Sequence, residues 1–177
     1  MGRRRRGPTA ALDITCDNTH NHRVTSKLQD ELKQTKPFKQ IEEEAYLSIL
    51  RTAAMLDHRV SQALKPHGVT ATQYNVLRIL RGAGSNGLCR NEVGERLVTA
   101  VPDVTRLLDR MEEIGLIARK RGTADRRFVT TTLTKKGLDL VNRLDARVAG
   151  VHAEQLGHVD KRRLKTLVDL LGAVRDR

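Results

Sequence analysis

The segment that most constrains the fold is "LIARKRGTADRRFVTTTLTKKG", residues 116–137. Leu116 to Arg121 reads as one strand. Phe128 to Thr134, almost all β-branched or aromatic, reads as a second. Gly122-Thr123-Ala124-Asp125 supplies the turn between them. Thr134 is of the type that caps a helix, so a helix is expected to start where the hairpin ends. Such a hairpin projects Arg126 and Arg127 from its tip, toward a negative partner. Asp125 is expected to pair with Arg127 and shape the tip; an exposed pair of this kind is weak, and it leaves Arg126 free.

Charge supports that reading. Between Arg119 and Lys136 lie seven basic residues and one acid. The whole chain of 177 residues carries a formal net charge of +12, which points to a polyanion. Residues 1–36, with Arg3 to Arg6 in a run, contribute +4 of this and the remainder keeps +8. Two Phe, two Tyr and no Trp leave few rings for stacking splayed bases, which argues against single-strand binding. Two cysteines make no disulfide framework, and the reduced cytoplasm is the expected location. No apolar run approaches the ~20 residues of a membrane span. "GRRRRGPTAALDITC" has a positive start but no apolar core for a signal peptide, and Asp13 argues against a lipoprotein site at Cys16.

The rest of the pattern is helical. Residues 1–36 read as a basic, disordered arm, with "SKLQDELKQ" left open as helix or coil. From Ile41 to Leu64, the residues Ile49, Ala53, Leu56, Val60 and Ala63 form a narrow seam suited to packing on another helix, stopped by Pro66 and Gly68. Thr70 and Gln73 form a capping box before Tyr74, Leu77 and Leu80. Glu92 to Val98 is a short helix burying Val93 and Leu97. Pro102 opens the next helix at its first position, with Val104, Leu107, Leu108 and Met111 inward and Gly115 at its end. After the hairpin, Leu138, Val141, Leu144 or Asp145, Val148 and Val151 mark a long helix, and Leu164, Leu167, Val168 and Leu171 a last one. Helix, turn, helix and hairpin in this order make a winged helix-turn-helix.

At this point the chain resembles the MarR family, the multiple-antibiotic-resistance type regulators, over roughly residues 38–177. "DRRFVTTTLTKKG" is similar to the family's wing signature through Asp125, Arg127, Leu133, Thr134 and Gly137, and "VPDVTRLLDRMEEIGLIAR" to its recognition helix. The expected fold is mainly α with a small β-hairpin wing, a winged helix-turn-helix core at about 66–136 flanked by dimerisation helices at about 38–64 and 135–176, within a domain at 37–177. The resemblance implies a homodimer that binds double-stranded DNA at a palindromic operator, a repressor released by a ligand or a redox event. The effector is unidentified, and no cofactor is expected. The rival is a nucleoid-type protein that binds DNA without sequence preference; specific and non-specific affinities at fixed salt separate the two.

On a helical wheel Pro102, Arg106, Asp109 and Glu113 point away from the inward set, with Asp103, Thr105, Arg110 and Glu112 on the flanks. The N-terminal part of such a helix enters the major groove. Arg106 is the best candidate for a bidentate guanine contact, Thr105 for a phosphate or thymine methyl, and Arg110 for a phosphate. Asp103 suits the helix dipole at the second helical position, where capping competes with a cytosine contact. Arg119, Lys120, Arg121, Asp125, Arg126 and Arg127 make up the wing, expected on the DNA backbone or in a minor groove. Leu133 is its expected core anchor. Lys135 and Lys136 sit in a first helical turn, which the dipole disfavours unless a phosphate is near; plain exposure is the competing reading.

Other chemistry is weakly signalled. Cys16, His20 and His22 lack a fourth ligand, and His152 and His158 are six apart, so no metal site is expected. Cys16 and Cys89 are the two thiols a redox signal would use; Cys89 falls where a helix cap is expected, and a plain semi-buried role competes there. No catalytic constellation is present, and the chain does not read as an enzyme.

Overall fold

The computed structural model describes residues 26–121 and 129–176. The chain divides into two compact units, residues 1–48 and 49–177. In the first unit, helix α1 (Lys27–Glu31) is capped by the Ser26 side chain, which accepts from the Gln29 amide at 3.2 Å. The stretch left open in the sequence is therefore helical over five residues. Helix α2 (Ile41–Leu64) begins with Glu42, Glu43 and Glu44, acids that suit the positive end of its dipole.

In the second unit, the end of α2 delivers Leu64, fully buried, to the core. A 3-10 turn at Lys65–His67 and Gly68 in the left-handed region (φ 71°) end the helix as expected. Helix α3 (Ala71–Ala83) starts with the anticipated capping box: the Gln73 amide donates to Thr70 Oγ1 at 3.1 Å, and the Thr70 amide to Gln73 Oε1 at 2.9 Å. Tyr74, Val76, Leu77 and Leu80 form its buried stripe.

Helix α4 (Arg90–Glu95) is followed by a turn and α5 (Val104–Glu113). Gly94 allows these two to approach: a Cβ there would stand 3.3 Å from Val104 Cγ2. The short helix begins two residues earlier than the sequence suggests. Cys89 is its N-cap residue, and its amide donates to Glu92 Oε2 at 2.7 Å. That bond to the Cys89 backbone holds the Glu92 carboxyl below its usual range.

Strand β1 (Ile117–Arg121) pairs antiparallel with β2 (Val129–Leu133), Ile117 opposite Leu133 and Arg121 opposite Val129. Leu88 adds a bridge on the other side of β2, exchanging two backbone bonds with Thr131 at 3.0 and 2.8 Å. This bridge corrects the expected anchor of the wing. Thr131 is the deepest residue of β2, 1% exposed, while Leu133 is half-buried against the core.

Helix α6 (Lys135–Leu156) and α7 (Lys161–Arg175) complete the chain. The inward set of α6 is Leu140, Val141, Leu144 and Val148; Leu138, expected among them, is 40% exposed. The junction of α5, the hairpin and α6 explains the L-T-x-x-G pattern physically. Thr134 Oγ1 accepts from the Gly137 amide at 3.0 Å and donates to the Gly115 carbonyl at 2.7 Å. One hydroxyl thus caps α6 and ties it to the exit of α5. Gly137 is needed because a Cβ there would overlap the Leu116 carbonyl oxygen.

A polar network joins α3 to α6. Tyr74 donates to Asp145 Oδ1 at 2.8 Å, and Arg81 pairs with Asp145 Oδ2 at 2.6 Å while bonding Asn142 at 2.9 Å. The Arg81 bond holds the Asp145 carboxyl low. Burial, with the Asp145 bond second, pushes the Tyr74 phenol up to about 12.

Candidate nucleic-acid interface

Helix α5 carries the largest contrast between faces. Leu108 and Met111 are buried, while Thr105, Arg106 and Arg110 are exposed. Its start differs from the sequence reading. Pro102 lies before the helix, in a bend, and does not occupy the first helical position. Asp103 takes the capping role expected of it, from the N-cap position and not the second helical one: its carboxylate accepts from the Arg106 amide at 2.9 Å. A capping carboxylate satisfies a free donor and favours the positive end of the dipole, so one side chain does what Pro102 was expected to begin.

Two further placements depart from the sequence reading. Asp109 does not point away from the fold; it faces the hairpin and pairs with Arg119 at 2.6 Å. Glu112 grips the same guanidinium through Nη2 at 2.6 Å and Nε at 2.7 Å, and accepts the Arg119 amide at 2.9 Å. Arg119 is therefore neutralised by two acids of α5 and is no free cation of the wing. Its bond to Glu112 raises the guanidinium further and keeps the Glu112 carboxyl low. The wheel could not show this, because it treats α5 in isolation from the strand packed on it.

Lys136 is also engaged. Its ammonium donates to the Ile114 carbonyl at 2.7 Å, at the C-terminal end of α5, where a cation is favourable. This bond caps α5 and uses one of the three donors of the ammonium. Lys135 is exposed, as are Lys120 and Arg121 on β1. The wing tip expected to carry Asp125, Arg126 and Arg127 lies outside the described residues, as does Cys16. Cys89 is half-buried and free.

One residue of this face was missed. Arg90, the first residue of α4, lies across from α5 and donates through Nη1 to Thr105 Oγ1 at 3.2 Å. Its Nε and Nη2 both donate to Asn91 Oδ1, at 3.3 and 3.2 Å. The 15-residue gap to Thr105 hides this from any helical pattern. Arg106 and Arg110 on α5, Arg90 on α4 and Lys120 and Arg121 on β1 are exposed cations, and Arg90 meets the exposed Thr105. Of the acids on the α5 segment, Asp103, Asp109 and Glu112 are spent on internal bonds.

No group of three or more metal-ligating side chains occurs among the described residues. No helix among them is long and apolar enough to cross a membrane.

The arrangement has close counterparts. A family model described as MarR family matches residues 69–129, from the start of α3 into β2. A MarR transcription factor from Planctomyces limnophilus, of known structure, is 34% identical; the match covers 77% of this chain and 98% of that one, with a TM-score of 0.60. The HTH-type transcriptional repressor Rv2887 of Mycobacterium tuberculosis is 29% identical over 128 residues, 71% of this chain and 91% of its own. A variant of MarR from E. coli complexed with operator DNA is 24% identical with a TM-score of 0.68, covering 85% of this chain and 99% of that one, and shares the fold. The helix-turn-helix, the hairpin and the relative at 34% identity lead to one conclusion: this chain belongs to the MarR family.

Proposed function

We propose that the protein is a cytoplasmic, sequence-specific transcriptional regulator, a repressor that binds a palindromic double-stranded operator as a homodimer and releases it in response to an effector. The observation that carries this reading is the division of charge on α5. Asp109, Glu112 and the capping Asp103 are held by the protein itself and Glu113 is exposed at the C-terminal end, while the Arg106 guanidinium has no partner among the described residues and stands exposed on the N-terminal half of the helix. A recognition helix needs such a face, since a free guanidinium can bond a guanine edge in two places. A solved relative bound to operator DNA and a curated repressor among the relatives support the partner and the sign of regulation.

The dimer reading rests on exposed apolar side chains at both ends of the second unit. Leu50 and Met55 on α2, and Leu167, Val168, Leu170 and Val174 on α7, are 44–65% exposed. Exposed apolar side chains gathered on a helix mark an interaction surface when they form one patch. The test is selection of bound duplexes from random DNA. Enriched sequences should contain two inverted half-sites about 10 base pairs apart, centre to centre. Binding without enrichment would instead favour the nucleoid-type alternative.

A further inference from the structure

We propose that Arg90 is a further DNA-contacting residue, which anchors on a backbone phosphate beside the groove entered by α5 and fixes the Thr105 hydroxyl as a hydrogen-bond donor toward the bases. This rests on the reading of α5 as the recognition helix. Most arginines seen in side-chain contacts of the second unit are neutralised. Arg81, Arg96, Arg119 and Arg163 each meet a carboxylate. Arg90 is held by an amide oxygen and a hydroxyl, which orient the guanidinium and leave its charge intact. Asp103 and Glu95 line the same cleft as Arg90, yet neither forms an ion pair with it.

The hydrogen-bond inventory is decisive. A guanidinium has five N–H donors. Three are used here, one on each nitrogen, so Nη1 and Nη2 each keep one. Two remaining donors on the terminal nitrogens match the paired oxygens of a phosphate. The side chain is already restrained, so less rotamer entropy is lost on docking than for a loose surface arginine. Arg90 lines the clefts on both sides of Thr105, one toward the hairpin with Arg119 and Thr131, one toward Pro102 and Val104.

The same bond acts on Thr105. Its oxygen accepts from Arg90, so its own hydrogen is free to be donated. Guanine N7 and O6, adenine N7 and thymine O4 accept such a bond in the major groove, whereas the cytosine amino group does not. Arg90 thereby occupies one of the two acceptor sites of the hydroxyl and favours donation by its hydrogen.

The experiment measures affinity by fluorescence anisotropy over a salt series, on a duplex selected by the wild-type protein and on a random duplex. Arg90→Gln removes the charge. The slope of log affinity against log salt should fall by ~0.9 per protomer, or ~1.8 for a dimer on two half-sites. Arg90→Lys keeps the charge but cannot fork to two partners; it should retain the slope and broaden base preference at one position per half-site. Thr105→Val should broaden the same position without changing the slope. An unchanged slope in Arg90→Gln, with unchanged melting, overturns the phosphate anchor. Unaltered base preference in Arg90→Lys overturns the orientation of Thr105. If the wild type does not prefer its selected duplex, the regulator reading fails, while the slope on random DNA still tests the phosphate anchor.

Discussion

Arg119→Ala separates a structural arginine from a DNA-binding one. The Arg119 side chain is 26% exposed, and its partners Asp109 and Glu112 are 44% and 37% exposed. Exposed ion pairs contribute about 0.2–1 kcal/mol, whereas hydrogen bonds to charged groups contribute about 1.5–3 kcal/mol. A partly screened guanidinium shared between two carboxylates falls between these limits, at about 1–2 kcal/mol. For a chain of this size the melting temperature should drop by roughly 2–8 °C, measured at one fixed protomer concentration. Affinity for DNA should also fall, because Asp109 and Glu112 are left uncompensated beside the groove. The salt slope should stay the same, since no phosphate contact is lost. The assay pairs calorimetric melting with a salt titration on one duplex. A variant with wild-type melting and a slope reduced by ~0.9 per protomer would show Arg119 on a phosphate, and would refute the neutralisation argued above.

Three other perturbations follow from the same geometry. Gly137→Ala forces a Cβ onto the Leu116 carbonyl and should cost about 1–3 kcal/mol in denaturant unfolding; wild-type stability would mean that the junction of α5 and α6 yields easily. Tyr74, raised to about 12, stabilises the fold fully below its ordinary value near 10, and that contribution is lost as pH climbs toward 12. Tyrosinate absorbance should show a late component that Tyr74→Phe removes; a wild-type titration complete before that range would contradict the burial of the phenol together with its bond to Asp145. Asp145 and Glu112 are depressed, so their contributions are present above the ordinary carboxylate range and vanish as pH falls through their lowered values. Acid unfolding of Asp145→Asn should therefore be shallower than that of the wild type, and an identical acid limb would argue against the pairing with Arg81.

Local chemistry made much of the fold readable. The box at Thr70 and Gln73, the stop at Gly68, the positive φ of Gly115 and the cap at Thr134 are each decided within a few residues, and sequence shows them directly. Periodicity located the buried stripes of α3 and α5 for the same reason. What failed depends on contacts between elements. Asp109 lies outward on an isolated helix and turns inward only because β1 places Arg119 beside it. Thr131 outranks Leu133 because Leu88 pairs across β2 from a distant loop. Arg90 belongs with Thr105 only once α4 and α5 are crossed. Lys136 finds the Ile114 carbonyl 22 residues back in the chain. Pro102 was misplaced by one local rule overriding another: a proline favours a first helical turn, but Asp103 is the stronger start signal.

The most direct test of the central claim is the effect of Arg106→Ala on discrimination. Affinities of wild type and variant are measured at one salt concentration for a wild-type-selected duplex and for a random duplex. If the exposed guanidinium of α5 reads a base, the variant should lose about 1–3 kcal/mol of preference per half-site while its weak, salt-sensitive binding to random DNA persists. Equal losses on the two duplexes would place Arg106 on the phosphate backbone and contradict the assignment of α5 as the helix that reads sequence.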